Sequence, residues 1–251
     1  MVIRYEASRS GLGVGLCCEA GGRGGLYQRS CCVVGIPPPG RLVVWGDDFT
    51  FLGRELDLKE MLEQMRKWYA IKMRGILGPD SGDMKEMRIL NRMVRWTKEC
   101  VEYEADDKHA RAIVAELNLG QDSKGSDLPL PKEYEAMEGD VELDAAQSKD
   151  YRRLAMIINY LALDRPDLQF TAGVLGRTAA RPTERSWANL KRTGRYLVKH
   201  PKIVFFYRPC EKEAASRLVT FGDSDWAGCK SSRRSVSGGV VVLGGIRQEL
   251  V

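Results

Sequence analysis

Short apolar arms, amphipathic stretches and acidic or proline-bearing breaks alternate along this 251-residue chain from position 41 onward. Arg41-Leu-Val-Val-Trp-Gly-Asp-Asp-Phe-Thr-Phe-Leu-Gly53 sets apolar residues on both sides of an acidic turn, the pattern of two strands joined tightly. Leu58, Met61, Leu62, Met65, Trp68 and Tyr69 then recur at helical spacing, with Lys59, Glu60, Glu63, Arg66 and Lys67 between them. Residues 71–74 and 87–103 read as strands, separated by the Gly78-Pro-Asp-Ser-Gly82 turn. Asp107 to Leu119 predicts a helix with Ala110, Ile113, Val114 and Leu117 inward and Gly120 as its stop. Tyr151, Leu154, Ile157, Ile158 and Leu161 mark another, terminated at Asp164-Arg-Pro-Asp167 because the residue before a proline disfavours helix. A further helix starts at Leu168. The next is capped by Thr183, carries Glu184 in its first turn, and ends at His200-Pro201. Strands follow near Val204–Tyr207, Leu218–Trp226 and Val236–Leu243, with a last one from Ile246. Strands and helices in this order predict an α+β fold.

Composition changes the picture mainly at the amino terminus. Gly11-Leu-Gly-Val-Gly15 and Gly21-Gly-Arg-Gly-Gly25 lack the preceding strand and following Lys-Ser/Thr of a phosphate loop, so residues 1–40 are expected to be disordered. Ile36-Pro-Pro-Pro39 reads as a linker into the first strand. The chain carries a net charge of +5, which permits a nucleic-acid partner without demanding one. Its distribution says more: Arg181–Arg217 holds ten Lys/Arg against three Asp/Glu, whereas Gln121–Asp150 holds nine acids and three bases. An acidic linker thus precedes a basic module. Seven cysteines without a C-x-x-C spacing suggest reduced thiols in an intracellular protein. His109 and His200 read as ordinary helix-surface or helix-end residues. No apolar run is long enough to cross a bilayer, and glycines interrupt any signal-peptide core.

Two features could carry chemistry. Asp47 and Asp48 are adjacent carboxylates at a hairpin tip, which repel unless a cation lies between them. They fit either a Mg²⁺ site for phosphoryl transfer or an ordinary Asp-rich turn. On the helix from Thr183, Trp187, Leu190, Gly194 and Leu197 form the apolar stripe, and Lys191, Arg192, Arg195 and Lys199 form the opposite side. That side is either a solvated charged face or a surface for a phosphate backbone.

The hairpin with its double Asp, followed by Phe-Thr-Phe-Leu-Gly and a long helix, resembles the motif that closes the palm active site of reverse transcriptases. Trp45 stands where that motif has its usual aromatic, which bears on nucleotide discrimination more than on metal binding. Further along, Asp150-Tyr-Arg-Arg-Leu-Ala, Asn159-Tyr-Leu-Ala, Asp164-Arg-Pro-Asp-Leu168, Pro182-Thr-Glu-Arg-Ser-Trp187 and Arg195-Tyr-Leu197 resemble the polymerase-to-ribonuclease H segment of copia-type LTR retrotransposon polyproteins. Phe221-Gly-Asp-Ser-Asp-Trp-Ala-Gly228, Arg233-Arg-Ser-Val-Ser-Gly-Gly239 and Leu243-Gly-Gly245 resemble the opening of that family's ribonuclease H module. Together these blocks cover residues 41–245.

The resemblance implies a partial palm and thumb over 41–120, an acidic linker over 121–150, a helical connection over 151–202, and the start of a ribonuclease H-like sheet over 203–251. It implies Mg²⁺ held by Asp47 and Asp48, and by Asp223 and Asp225 in the second module, with Asp47, Asp48 and Asp223 catalytic. A third polymerase carboxylate has no counterpart, since no aspartate precedes Asp47 and Glu6 and Glu19 stand in Gly-rich surroundings. Only Glu249 follows Asp225 among the acids. The expectation is therefore a catalytically incomplete piece of an RNA-directed DNA polymerase. The alternative is a non-catalytic nucleic-acid-binding remnant or the product of a truncated gene. The implied partners are an RNA/DNA template–primer duplex, and the rest of the polyprotein or an intact copy; no membrane is implied. The implied location is the cytoplasm or nucleus. Unpaired edges of the last sheet are an association hazard.

Overall fold

The computed structural model describes residues 2–5, 32–36, 40–45, 48–120, 123–135, 137, 139–209, 217–229 and 233–243. The chain divides into two compact units, Met1–Ile89 and Leu90–Val251.

The first unit is built on an antiparallel sheet of β1 (Val2–Tyr5), β2 (Cys32–Ile36), β3 (Gly40–Trp45), β4 (Asp48–Leu52) and β5 (Ile71–Gly75), in the order β2-β3-β4-β1-β5. Helix α1 (Glu55–Trp68) packs on it. Period-two alternation places Leu42 and Val44 of β3, Phe49 and Phe51 of β4, and Ile71 and Met73 of β5 in one cluster. Leu58, Leu62 and Met65 of α1 join that cluster at helical spacing. Two strands were not expected before Arg41. Val2-Ile-Arg-Tyr5 and Cys32-Val-Val-Gly-Ile36 are short β-formers in Gly/Pro-rich surroundings, and their ladders are tertiary, β1 pairing with β4 and β5. The other residues of the 1–40 segment fall outside the described residues. After β5, Lys85 Nζ donates to the carbonyls of Gly78, Pro79 and Asp80 at 2.9, 2.9 and 2.6 Å, using all three ammonium donors to hold the predicted turn. Strand β6 (Glu86–Ile89) ends the unit.

The second unit opens with β7 (Arg92–Trp96) and β8 (Val101–Glu104), so the predicted 87–103 strand is broken twice. Leu90 and Asn91 take φ of 48° and 68°, the left-handed pair of a tight turn. Thr97 closes the next turn, its hydroxyl accepting from Cys100 N at 3.0 Å. Strand β9 (Val204–Tyr207) pairs antiparallel with β8.

Four helices form the main core: α2 (Lys108–Glu116), α3 (Ala145–Leu161), α4 (Gln169–Arg177) and α5 (Glu184–Lys199). Ile113, Tyr151, Leu154, Ile158, Leu175, Leu190 and Leu197 meet in it, all almost fully buried. Helix α2 ends not at Gly120 but at Asn118, whose φ of 53° turns the chain and lets Leu119 N reach Val114 O at 3.0 Å. Helix α3 begins six residues before the predicted Tyr151, inside the segment that composition assigns to a linker. Asp144 caps it, accepting from Gln147 N at 2.8 Å. Asp164-Arg-Pro-Asp167 does end α3, and a single 3-10 turn, Pro166–Leu168, leads into α4. Finally β10 (Leu218–Ser224) and β11 (Ser237–Leu243) form a two-stranded ribbon with Leu218, Phe221, Val240 and Val241 exposed. The predicted strand from Ile246 lies outside the described residues. Mixed α and β structure with small antiparallel sheets agrees with the α+β expectation. Among the described residues no helix is long and apolar enough to cross a membrane.

Candidate nucleic-acid interface and acidic sites

Helix α5 is the best-defined candidate surface. Its start follows the sequence: Thr183 accepts from Ser186 N at 3.3 Å, and Ser186 Oγ accepts from Thr183 N at 3.2 Å, a reciprocal capping box. Leu190, Gly194 and Leu197 face the helical core. Gly194 marks the close approach of α2 to α5, since a Cβ there would stand 2.6 Å from Leu117 Cδ1 and 2.7 Å from Leu119 Cδ1. The exposed positions are Glu184, Ala188, Lys191, Arg195 and Lys199, a single stripe at helical spacing. Three of the four predicted cations share it, and the fourth, Arg192, is half-buried beside it. Arg192 Nε is buried and meets no acceptor among the described residues.

A third face of α5, made of Ser186, Asn189 and Thr193, is also buried, and sequence reasoning missed it. The acidic segment Ser123–Leu143 covers it, running antiparallel to the helix. Ser126 N donates to Arg195 O at 3.2 Å, Thr193 Oγ1 to Pro129 O at 3.1 Å, and Asn189 Nδ2 to Tyr134 O at 2.8 Å. At the helix start, Glu184 N donates to Val141 O at 2.9 Å and Leu143 N to Pro182 O at 3.0 Å. Charges pair along the same track: Lys199 with Asp127, Arg185 with Asp140 at 3.0 Å, and Arg181 with Glu142. The Lys199 hydrogen bond holds Asp127 below the usual carboxylate range. The Met137 amide, with Arg185 adding to it, does the same for Asp140. Lys124–Leu128, Arg192 and Arg195 enclose a groove of about 430 Å³. The only sequence signal for this arrangement was a net negative segment preceding a net positive one.

The acidic sites look different. Trp45 and Asp48 are register partners in the β3–β4 ladder, so Asp48 opens a strand rather than occupying the tip, and Asp47 lies outside the described residues. On its other side Asp48 is the register partner of Arg4 in β1. Asp223 is exposed on β10 opposite Gly238. Asp225 falls after the strand's last residue, not farther along one strand face. Its Oδ1 accepts from Val236 N at 2.7 Å and Gly228 N at 3.3 Å, closing the loop between β10 and β11. A Cβ at Gly228 would stand 2.6 Å from Asp225 Cγ, and Ala227 sits at φ 52°, so backbone strain accompanies this loop. Among the described residues no group of three or more His, Cys, Asp or Glu is placed to hold a metal ion. Asp47 lies outside those residues, and no catalytic step is derived through a metal. His109 packs edge-on against Tyr160, and His200 caps α5 against Tyr196.

The Asp164-Arg-Pro-Asp167 block, legible in sequence only as a break, is a junction. Asp164 accepts from Arg92 NH2 at 2.7 Å and Tyr103 OH at 3.1 Å, tying β7 and β8 to the end of α3. Burial, with the Asp164 contact adding to it, raises the Tyr103 phenol. Arg165, almost fully buried, donates to Asp167 at 2.8 Å and to the carbonyls of His200 and Pro201 at 3.0 and 3.4 Å. Tyr196 OH donates to the same Asp167 at 2.8 Å, and burial together with that bond pushes it up to about 12.

Similarity to known proteins fits the sequence blocks. An uncharacterized mitochondrial protein of Arabidopsis thaliana, AtMg00810, is 30% identical over 137 residues, covering 55% of this chain and 55% of that protein. The retrovirus-related Pol polyprotein from transposon RE2 of Arabidopsis thaliana is 35% identical over 95 residues, 38% of this chain and 6% of the polyprotein. A secreted RxLR effector protein, 161, of Plasmopara viticola is 36% identical over 89 residues, 36% of this chain and 61% of that protein. The chain thus covers about half of the first relative and a small part of the polyprotein. No family model and no solved structure matches. The chain is thus similar to part of the retrovirus-related Pol polyproteins of transposons, in keeping with the resemblance of its sequence blocks to copia-type polyproteins.

Proposed function

We infer that the chain is a nucleic-acid-binding piece of an RNA-directed DNA polymerase lineage whose polymerase and ribonuclease H sites are incomplete in its own residues. The observation that supports this reading is the exposed stripe Lys191, Arg195 and Lys199 on a helix anchored by its other faces, with Arg192 beside it. From Lys191 to Lys199 the helix rises about 12 Å, a span of roughly three to four phosphates on one strand at ~3.4 Å each. The favoured partner is an RNA/DNA template–primer duplex, in the cytoplasm or nucleus, alongside the rest of a Pol polyprotein or an intact copy. Three phosphate contacts give an expected slope of log affinity against log salt of about −2.7. Fluorescence anisotropy with a labelled RNA–DNA hybrid tests this: Lys191→Ala and Arg195→Ala should each lower the slope by about 1. Salt-independent binding, or slopes unchanged in both variants, would refute the reading.

A second reading, polymerase chemistry at Asp47 and Asp48, is favoured by the β3–β4 hairpin, whose second strand opens with Asp48. Primer extension on poly(rA)/oligo(dT) with Mg²⁺ or Mn²⁺ decides it. Extension abolished in the Asp47→Asn/Asp48→Asn variant would establish the enzyme, and its absence from folded protein would leave the binding function.

A further inference from the structure

Helix α5 has a segment of its own chain packed along one face. The segment Ser123–Leu143 lies antiparallel along it, as a bound acidic peptide would, but its two kinds of contact differ in strength. The middle is held by uncharged interactions: Leu130 is buried, and Pro129 and Tyr134 carbonyls accept from Thr193 and Asn189. These survive salt. The Lys124–Leu128 end is held by the Ser126 to Arg195 backbone bond and by Asp127 on Lys199, whose side chains are 81% and 47% exposed. Exposed pairs of this kind are weak and are screened by ions. Beneath that end lie Arg192, with its unpartnered Nε, and Arg195.

Resting on the nucleic-acid reading of α5, we propose that Lys124–Leu128 is a displaceable flap that sets Asp127 on the carboxyl-terminal cation Lys199 of α5 and yields to a phosphate backbone. The flap carries Asp127 where a phosphate would pair with Lys199. Lifting it frees Lys199 and opens the groove beside Arg192 and Arg195. The middle of the segment stays anchored, so the flap hinges rather than detaches.

Gly125 allows a test that leaves charge unchanged. A Cβ at this position would stand 2.8 Å from Lys199 Cβ, too close for the flap to remain seated. Binding of a labelled RNA–DNA hybrid is compared for the full chain, Gly125→Val, Asp127→Asn, and Asp150→Asn, the last matching the charge change outside the segment. The first two variants should bind about two- to fivefold more tightly, the range of one exposed ion pair, and Asp150→Asn should change little. Trypsin cleavage after Lys124 should accelerate with added salt in the wild type and begin fast in Gly125→Val. Tight binding that neither Gly125→Val nor Asp127→Asn improves beyond Asp150→Asn overturns the flap alone. No binding by any of the four proteins at low salt overturns the reading of α5, and the flap with it. Should Gly125→Val fail to fold, Asp127→Asn against Asp150→Asn carries the comparison.

Discussion

Replacing Arg165 by Met would leave Asp167 charged inside the helical unit with its main partner gone. Arg165 is 1% exposed and Asp167 13%, and they share hydrogen bonds of 2.8 and 3.0 Å. Removing one member of a buried pair typically costs about 3–5 kcal/mol, because the other charge stays buried without compensation. Tyr196 still donates to Asp167, which argues for the lower half of that range. The carbonyl of His200 would lose its donor as well, adding about 1 kcal/mol. A total near 4 kcal/mol is a large part of the ~5–15 kcal/mol that holds an ordinary domain together. Arg165→Met/Asp167→Leu removes both charges and should recover at least half of the loss. Urea unfolding of the full chain, followed by far-UV circular dichroism, reads the transition of the helical unit. A single variant that costs less than about 1 kcal/mol, or a double variant no better than the single, would refute the reasoning.

Two further outcomes follow from local geometry. The hydrogen bonds from Lys202 and Arg95 hold Glu104 below the usual carboxylate range against some burial. Its stabilisation is therefore present above about pH 4.3 and lost as pH falls through the lower folded value; Glu104→Gln should lower neutral-pH stability and flatten the acid limb of urea midpoints against pH. At Gly194, Ala should be nearly neutral because only the flexible ends of Leu117 and Leu119 must move, whereas Val should cost about 1–3 kcal/mol by overpacking, measured as a shift in Tm. A Val variant as stable as the wild type would contradict the close α2–α5 approach.

Local signals were legible in the sequence, and contacts between distant residues were not. Helix α5 could be drawn from Thr183 to His200 because cap, stripe and stop are all local. The helix stop at Asn118 was local too, but Gly120 two residues on is the commoner terminator and concealed it. Strands β1 and β2 are short, and what fixes them is pairing with residues that composition cannot reveal. Asp164 and Arg165 find partners 72, 61 and 35 residues away, so their motif showed only its proline. Among the candidate site residues, the cations of α5 were visible from helical spacing. The acidic segment covering its third face was not, because nine acids among thirty residues read equally well as a solvated linker. Asp225 shows the opposite case, a carboxylate picked out by motif whose Oδ1 closes a loop.

The Asp164 junction also bears on how the second unit comes apart. Arg92 and Tyr103 reach it from the neighbouring strands β7 and β8, while Asp164 itself closes α3. An opening that frees α3 from the bundle must also strip the guanidinium and phenol from this carboxylate. Sheet and helices are thereby denied independent fluctuation. Slowly exchanging amides of β8 and of α3 should accordingly share one opening free energy and behave as a single cooperative unit, with Asp164→Ala splitting them into two.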